Sequence, residues 1–368
     1  MASPDGMTYA PIGRPEPVCS PGDFVIAAVG LDHGHIYGMC NGLIEAGGQL
    51  RWVYDGDPAK VSEFCRRYPG AEAAPSEEAV LSDDGVHLVA AAPVPVQRAG
   101  LGLRVMDHGK HYFTDKPPMT TLNQLAEVRA KTAGTGKKYA IYYSERLHVE
   151  SAVFAGRLVC DGAIGRVVQV LGMGPHRMNE ASRPGWFFDH DAYGGILCDL
   201  GSHQLEQVLY YGGCDDATIT SARVANYAHK GEPGIEDFGD VTVVLGNGVT
   251  GYCRVDWFTP DGLGTWGDGR TFILGTEGYI ELRKYIDVGR ERAGDHVYLV
   301  DKHGEQHIPA SGRVGFPFFG ELILDCLEGT ERAMTQEHAF RAAELCLRAQ
   351  EQAVRIEGEP ARKALPDG

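Results

Sequence analysis

Along the first 145 residues the apolar positions fall into short blocks separated by amphipathic stretches. Phe24-Val25-Ile26-Ala27-Ala28-Val29 is apolar throughout, the pattern of a parallel strand covered on both faces. It stops at Gly30, and helical spacing follows over residues 36–46. Further strands are expected at 50–54, 86–91, 112–113 and 138–143. Helices are expected from Pro58, a residue suited to a first helical turn, and over 97–108 and 122–133. Alternating strands and helices predict a doubly wound parallel sheet.

Beyond residue 145 the rhythm changes. A helix over 149–161 is followed by closely spaced strands at 167–173, 218–226, 240–245, 250–257, 271–274, 279–282 and 297–300. Gly246-Asn247-Gly248 and Gly275-Thr276-Glu277-Gly278 between them are turn signals. The prediction is α/β: an N-terminal Rossmann-type parallel sheet, then an α+β domain with a large, mostly antiparallel open sheet. One face of that sheet, carrying Val241, Val243 and Leu245, is expected to bury against a partner subunit. The expected divisions are a loose tail over 1–22, domains over 23–145 and 146–335, and a helix packing back, with a tail, over 336–368.

Composition narrows the class. The chain has 368 residues, enough for two domains, and its 43% hydrophobic content supports a sizeable core. A formal charge of −16, without a Lys/Arg-rich run, argues against a nucleic-acid surface. No apolar stretch approaches the ~20 residues of a membrane span. Nine scattered cysteines without CxxC pairs read as reduced thiols of a cytoplasmic protein.

Two segments carry candidate chemistry. Thr114-Asp115-Lys116-Pro117-Pro118 puts one lysine at the end of a strand. Gly194 to His203 puts Asp199 and His203 four apart in the opening turns of a helix, on one face. Lysine, aspartate and histidine in one pocket suit proton transfer with a substrate hydroxyl. The histidine is the natural base, the lysine steadies charge on oxygen, and the carboxylate orients its partners. His176, Arg177 and Trp186 lie in an aromatic loop over 175–191 whose polar groups and rings suit a carbohydrate. His33, His35, His176, His190 and His203 read as groups near an anionic ligand, and no metal is expected.

A strand, a glycine and a helix, with Asp55 ending the next strand, is the layout of a dinucleotide site. The helix start favours a pyrophosphate, and Asp55 favours NAD over NADP by repelling a 2′-phosphate. The glycine fingerprint is altered to Gly30-Leu31-Asp32-His33-Gly34-His35, with Asp32 in the place of the second glycine.

These motifs and their order resemble the Gfo/Idh/MocA family, the glucose-fructose oxidoreductase and inositol dehydrogenase relatives, over residues 24–354. Asp115-Lys116-Pro117 is similar to the family's Glu-Lys-Pro, and Gly194-Gly195 through Asp199 and His203 to its Gly-Gly…Asp-x-Gly-x-His. The resemblance implies an NAD-dependent dehydrogenase of a sugar, sugar derivative or cyclitol, and the assembly expected from the apolar sheet face is a homodimer or homotetramer. It implies Lys116 as the pocket lysine, Asp199 and His203 on the substrate, and His203 as acid/base. Arg146 would sit near nicotinamide and substrate. Pro93 would keep a cofactor contact, although Pro93-Val94-Pro95-Val96-Gln97-Arg98 departs from the family's Pro-Asn-x-x-His. A redox-neutral enzyme using NAD transiently and a non-catalytic sugar-binding relative remain as alternatives.

Overall fold

The computed structural model describes residues 6–358. The first sheet has six strands: β1 (Val25–Val29), β2 (Gln49–Tyr54), β3 (Glu72–Ala73), β4 (Leu88–Ala91), β5 (His111–Asp115) and β6 (Tyr139–Tyr142). Their order is β3-β2-β1-β4-β5-β6, with every pair parallel. β1 and β4 are buried along their whole length, as their unbroken apolar runs require. The order reverses between these two strands, so a crevice opens beyond their carboxyl ends at Gly30 and Pro93.

The second sheet has nine strands: β7 (Val167–Pro175), β8 (Ala217–Ala225), β9 (Phe238–Leu245), β10 (Thr250–Asp256), β11 (Arg270–Gly275), β12 (Gly278–Arg283), β13 (His296–Asp301), β14 (Gly304–Pro309) and β15 (Val354–Arg355). They run β14-β13-β12-β11-β7-β10-β9-β8-β15, antiparallel except for β7 with β10 and β8 with β15. The polar edge strand β14 gave no apolar alternation and was not expected. The helix Gly201–Gly212 covers one face so closely that a Cβ on Gly251 would lie 2.4 Å from Val208.

That helix decides the outcome for Val241, Val243 and Leu245. They are buried beneath it rather than turned to a partner, with Leu245 pressed against Gly212. The opposite, open face carries Val168, Val244 and Leu274, exposed by 43%, 37% and 37%. The sequence reading chose the wrong parity on β9.

The amino-terminal stretch is not loose over the residues described. Gly6–Thr8 forms a short 3-10 turn and Gly6 is buried against the rings of His176 and Trp266. Tyr9 donates its hydroxyl to the His148 carbonyl at 3.1 Å and sets its ring edgewise to Trp266 and Tyr285. Asn41 then holds the Pro11 carbonyl, and the Glu45 carboxylate accepts the Gly13 N–H. Such backbone-to-side-chain contacts leave no periodic signal in a Pro- and Gly-rich stretch. The remainder of the expected tail, residues 1–5, and the far carboxyl end, 359–368, lie outside the described residues.

The helix Gln336–Gln352 packs across both sheets' helices. Its Gln336 accepts the Tyr139 N–H, while Gln350 accepts the Leu197 N–H and donates to Glu236. It ends at Gln352, and Val354 and Arg355 beyond it pair with β8.

Candidate active site and cofactor crevice

β5 ends at Asp115 and delivers Lys116 into the space between the two sheets. The Lys116 ammonium donates to Asp199 Oδ1 at 2.7 Å, and both residues are buried. Asp199 closes the short helix Ile196–Asp199, and His203 lies one turn later in the helix Gly201–Gly212. His203 is 2% exposed, and its Nδ1 has no hydrogen-bond partner among the described residues. Burial pushes this imidazole well below its ordinary range, opposed by Glu145 and reinforced by Lys116, His35 and His176. It is a neutral base at neutral pH.

Glu145 lies beside these groups. One carboxylate oxygen accepts from Lys284 at 2.9 Å and from Gln204 at 2.8 Å. The other has no hydrogen-bond partner and stands 3.9 Å from His176 Nε2. Burial alone would raise this carboxyl, but Lys284, His203 and His176 outweigh it and hold it below the carboxylate range. Burial also pushes His176 down to about 4, against the pull of Glu145.

Gly6, Met7, His33, His35, Lys116, His176, Arg183, Trp186, Trp257 and Asp199 enclose a small cavity of about 20 Å³. That is room for about one water. A second, open cavity of about 430 Å³ lies beyond β1, lined by Gly30, Asp32, Asp55, Pro93, Gln97 and Arg104. Gly30 is at φ +73°, and a Cβ there would meet Pro93 at 2.8 Å, so only glycine fits. Asp55 accepts the Leu31 N–H at 2.6 Å and the Asp57 N–H at 2.8 Å.

A carboxylate at position 32 is compensated by a cation. Lys60 donates to Asp32 at 2.5 Å and stands 3.8 Å from Asp55. Burial lowers the Lys60 ammonium, but the hydrogen bond and charge of Asp32 more than reverse this. The glycine cradle, the open cavity and this cation fit the adenosine and diphosphate half of a dinucleotide. Gly34 and His35, expected on the phosphates, are covered instead: a Cβ on Gly34 would lie 2.2 Å from the Met7 carbonyl. His33 and His35 both face the Asp115 carboxylate, at 3.2 and 2.9 Å. Burial would raise Asp115, yet His35, Arg98 and His33 hold it well below the usual range.

Two expected ligand residues are placed elsewhere. Arg146 pairs with Glu206 at 2.6 Å and stacks on Tyr210, lining a different cavity with Asp215 and His338. The adjacent Glu145, one residue earlier, is the one that reaches the pocket. Arg177 donates to the carbonyls of Pro260, Leu263 and Thr265, so it clasps the loop after β10 instead of a substrate. Arg183, which sequence reasoning did not single out, lines the cavity with its guanidinium over the rings of Phe187 and Trp257. Sequence reasoning also passed over Lys60, Lys284 and Gly6–Met7. Lys60 could have been found as a basic residue one turn into the helix that follows Asp55. The other two are joined to the site only by the tertiary fold.

Comparison with known proteins agrees with this architecture. Residues 28–143 match a family model described as "Oxidoreductase family, NAD-binding Rossmann fold", and 154–281 match one described as "GFO/IDH/MocA C-terminal domain". A D-xylose dehydrogenase of Paenarthrobacter nicotinovorans is 27% identical over 39% of this chain and 38% of its own. A scyllo-inositol 2-dehydrogenase (NAD(+)) of Bacillus subtilis is 25% identical over 55% of this chain. The match spans 56% of that second relative, so the chain covers about half or less of either curated protein. A crystal structure of a provisionally assigned oxidoreductase from Erwinia carotovora atroseptica SCRI1043 is 49% identical. It covers 91% of this chain and all of its own, with a TM-score of 0.88. A levoglucosan dehydrogenase solved with NADH shares the fold at 15% identity and a TM-score of 0.73, over 89% of this chain and 97% of its own.

Proposed function

Because the chain belongs to the Gfo/Idh/MocA oxidoreductase family and has an NAD-binding Rossmann domain, we propose that it is an NAD-dependent dehydrogenase of a sugar, sugar derivative or cyclitol. The observation that carries this reading is the buried Lys116–Asp199 bond with His203 one turn away, at the junction of the two sheets. Gly30, Asp55 and Lys60 would hold the adenosine and diphosphate half of NAD, and the Asp55 carboxylate disfavours a 2′-phosphate. NAD, when bound, supplies the oxidant that takes hydride from the substrate carbon. His203, neutral and with a free ring nitrogen, takes the hydroxyl proton. Lys116 stabilises the negative charge that grows on that oxygen, and Asp199 fixes the ammonium in place. Trp186 and Trp257 offer flat faces to sugar C–H groups, with His176 and Arg183 supplying polar contacts.

We place the enzyme in the cytoplasm as a homodimer or homotetramer, the partner covering the open sheet face around Val168, Val244 and Leu274. The deciding experiment screens sugars and polyols with NAD and NADP, following absorbance of the reduced cofactor. Once a substrate is found, Lys116→Ala and His203→Ala should each lower turnover by about 10²–10⁴-fold while NAD affinity changes little. Wild-type turnover in both variants would remove these residues from the chemistry.

A further inference from the structure

Two imidazoles and a carboxylate meet beside the catalytic cavity in a way that hydrogen bonding alone does not satisfy. His35 Nε2 lies 3.0 Å from the Gly6 carbonyl oxygen, an atom that only accepts, so this nitrogen carries the ring proton. Nδ1 of a neutral His35 is then a lone pair, 2.9 Å from Asp115 Oδ1. His33 Nδ1 accepts the His35 backbone N–H at 3.2 Å, so this nitrogen carries no proton, and it stands 3.2 Å from Asp115 Oδ2 with nothing among the described residues between them to bridge the contact. These ligand atoms lie within 4.8 Å of one another, and all three residues are buried.

One proton could close one of these gaps by making His35 an imidazolium. A second proton, on His33 Nδ1, would set two charged rings with centroids 4.3 Å apart. A single cation can take both ring nitrogens and the carboxylate together, replacing the 3.2 Å bond that His33 Nδ1 accepts from the His35 N–H. We propose that His33, His35 and Asp115 bind a divalent transition-metal ion of the zinc class, with an open coordination position toward Lys116 and Asp199. Two imidazoles and one carboxylate, with a position left free, are a ligand set that such ions accept.

The surroundings match what such ligands need. Metal-binding histidines usually donate their second nitrogen to a carbonyl, as His35 does to Gly6, and ligating carboxylates are themselves hydrogen-bonded. Asp115 Oδ2 accepts from Arg98 at 3.3 Å. The neighbouring cations are held by other partners as well: Arg98 also donates to the carbonyls of Pro93 and Pro117, and Lys116 to Asp199. His33 and His35 line the same cavity as Lys116, His176 and Asp199, so a bound ion would face the space where a substrate oxygen enters. This assignment departs from the metal-free expectation drawn from the sequence.

The test uses the full chain, expressed without a histidine tag, and needs no substrate. Metal content is measured by mass spectrometry after purification without chelator. Chelator-treated protein is then titrated with Co²⁺, following visible absorption and binding heat. The expected result is one saturable site per chain, with the visible bands of a four- or five-coordinate ion. His33→Ala and His35→Gln should weaken Co²⁺ binding by at least about tenfold, since losing an outer-shell partner alone costs about 10–100-fold. Unchanged far-ultraviolet circular dichroism verifies that each variant is folded. No saturable Co²⁺ binding by the folded wild type up to millimolar concentration overturns the proposal. So does folded His33→Ala that binds like the wild type. Either result leaves the dehydrogenase reading untouched, because metal uptake is measured without turnover.

Discussion

Glu145 and Lys284 form an ion pair whose side chains are 2% and 0% exposed. At 2.9 Å and an effective dielectric constant of about 20, their attraction is about 6 kcal/mol before desolvation. Removing two charges from water cancels most of that, so the net contribution of the pair is small. Losing one partner is a different matter, because the survivor stays buried without its counter-charge. Glu145→Gln keeps the shape of the side chain and strands Lys284, with an expected loss of about 3–5 kcal/mol. Lys284→Met alone should also destabilise, less so because Gln204 still donates to the remaining carboxylate at 2.8 Å. The double variant carries neither charge and should recover most of the loss. Urea unfolding of the four proteins, followed by tryptophan fluorescence from Trp257 and Trp266, completes a double-mutant cycle. A loss below about 1 kcal/mol in Glu145→Gln would refute the reasoning. So would a double variant no more stable than the worse single one.

Burial lowers the His338 imidazole, but its bonds to Asp215 and Glu206 reverse this and bring it up to about 9. A folded value above the unfolded one of about 6.5 means that this stabilisation is complete below pH ~6.5 and lost as pH rises through about 9. Melting temperatures across that window should therefore fall in the wild type and flatten in His338→Gln. His203 is held below its ordinary range, so the acid limb of kcat/KM should lie under about pH 6.5, and an acid limb above neutrality would contradict its role as base. Calorimetry should find NAD bound more tightly than NADP, with the gap narrowed in Asp55→Ala; equal affinities in the wild type would remove Asp55 from the ribose. Sedimentation at micromolar concentration should show a dimer or tetramer, and a strict monomer would leave the open sheet face unpartnered.

The parallel sheet was legible because its central strands β1 and β4 are apolar throughout and its helices carry first-turn signals, as at Pro58. Lys116, Asp199 and His203 were legible because fixed spacing along a strand end and a helix survives in one dimension. The rest of the site was not, for identifiable physical reasons. Lys284 and Glu145 are 139 positions apart, and neither sits in a local pattern that announces a buried charge. Arg146 and Glu145 are neighbours on one turn, and the sequence contains nothing to say which of them faces the cavity. Val241, Val243 and Leu245 alternate as expected, but alternation gives a face without saying what covers it. That choice depended on glycines at 172, 174 and 251, which admit a helix close to the sheet.

The seat of Gly6 and Met7 has a practical consequence. Gly6 and Met7 line the same cavity as Lys116, His176 and Asp199, so the amino-terminal stretch is part of the wall that a bound molecule would meet. A side chain at position 6 would press on the His176 ring, 2.8 Å from where its Cβ would stand. The shape of the pocket can therefore be altered from Gly6 and Met7 while Lys116, Asp199 and His203 stay as they are.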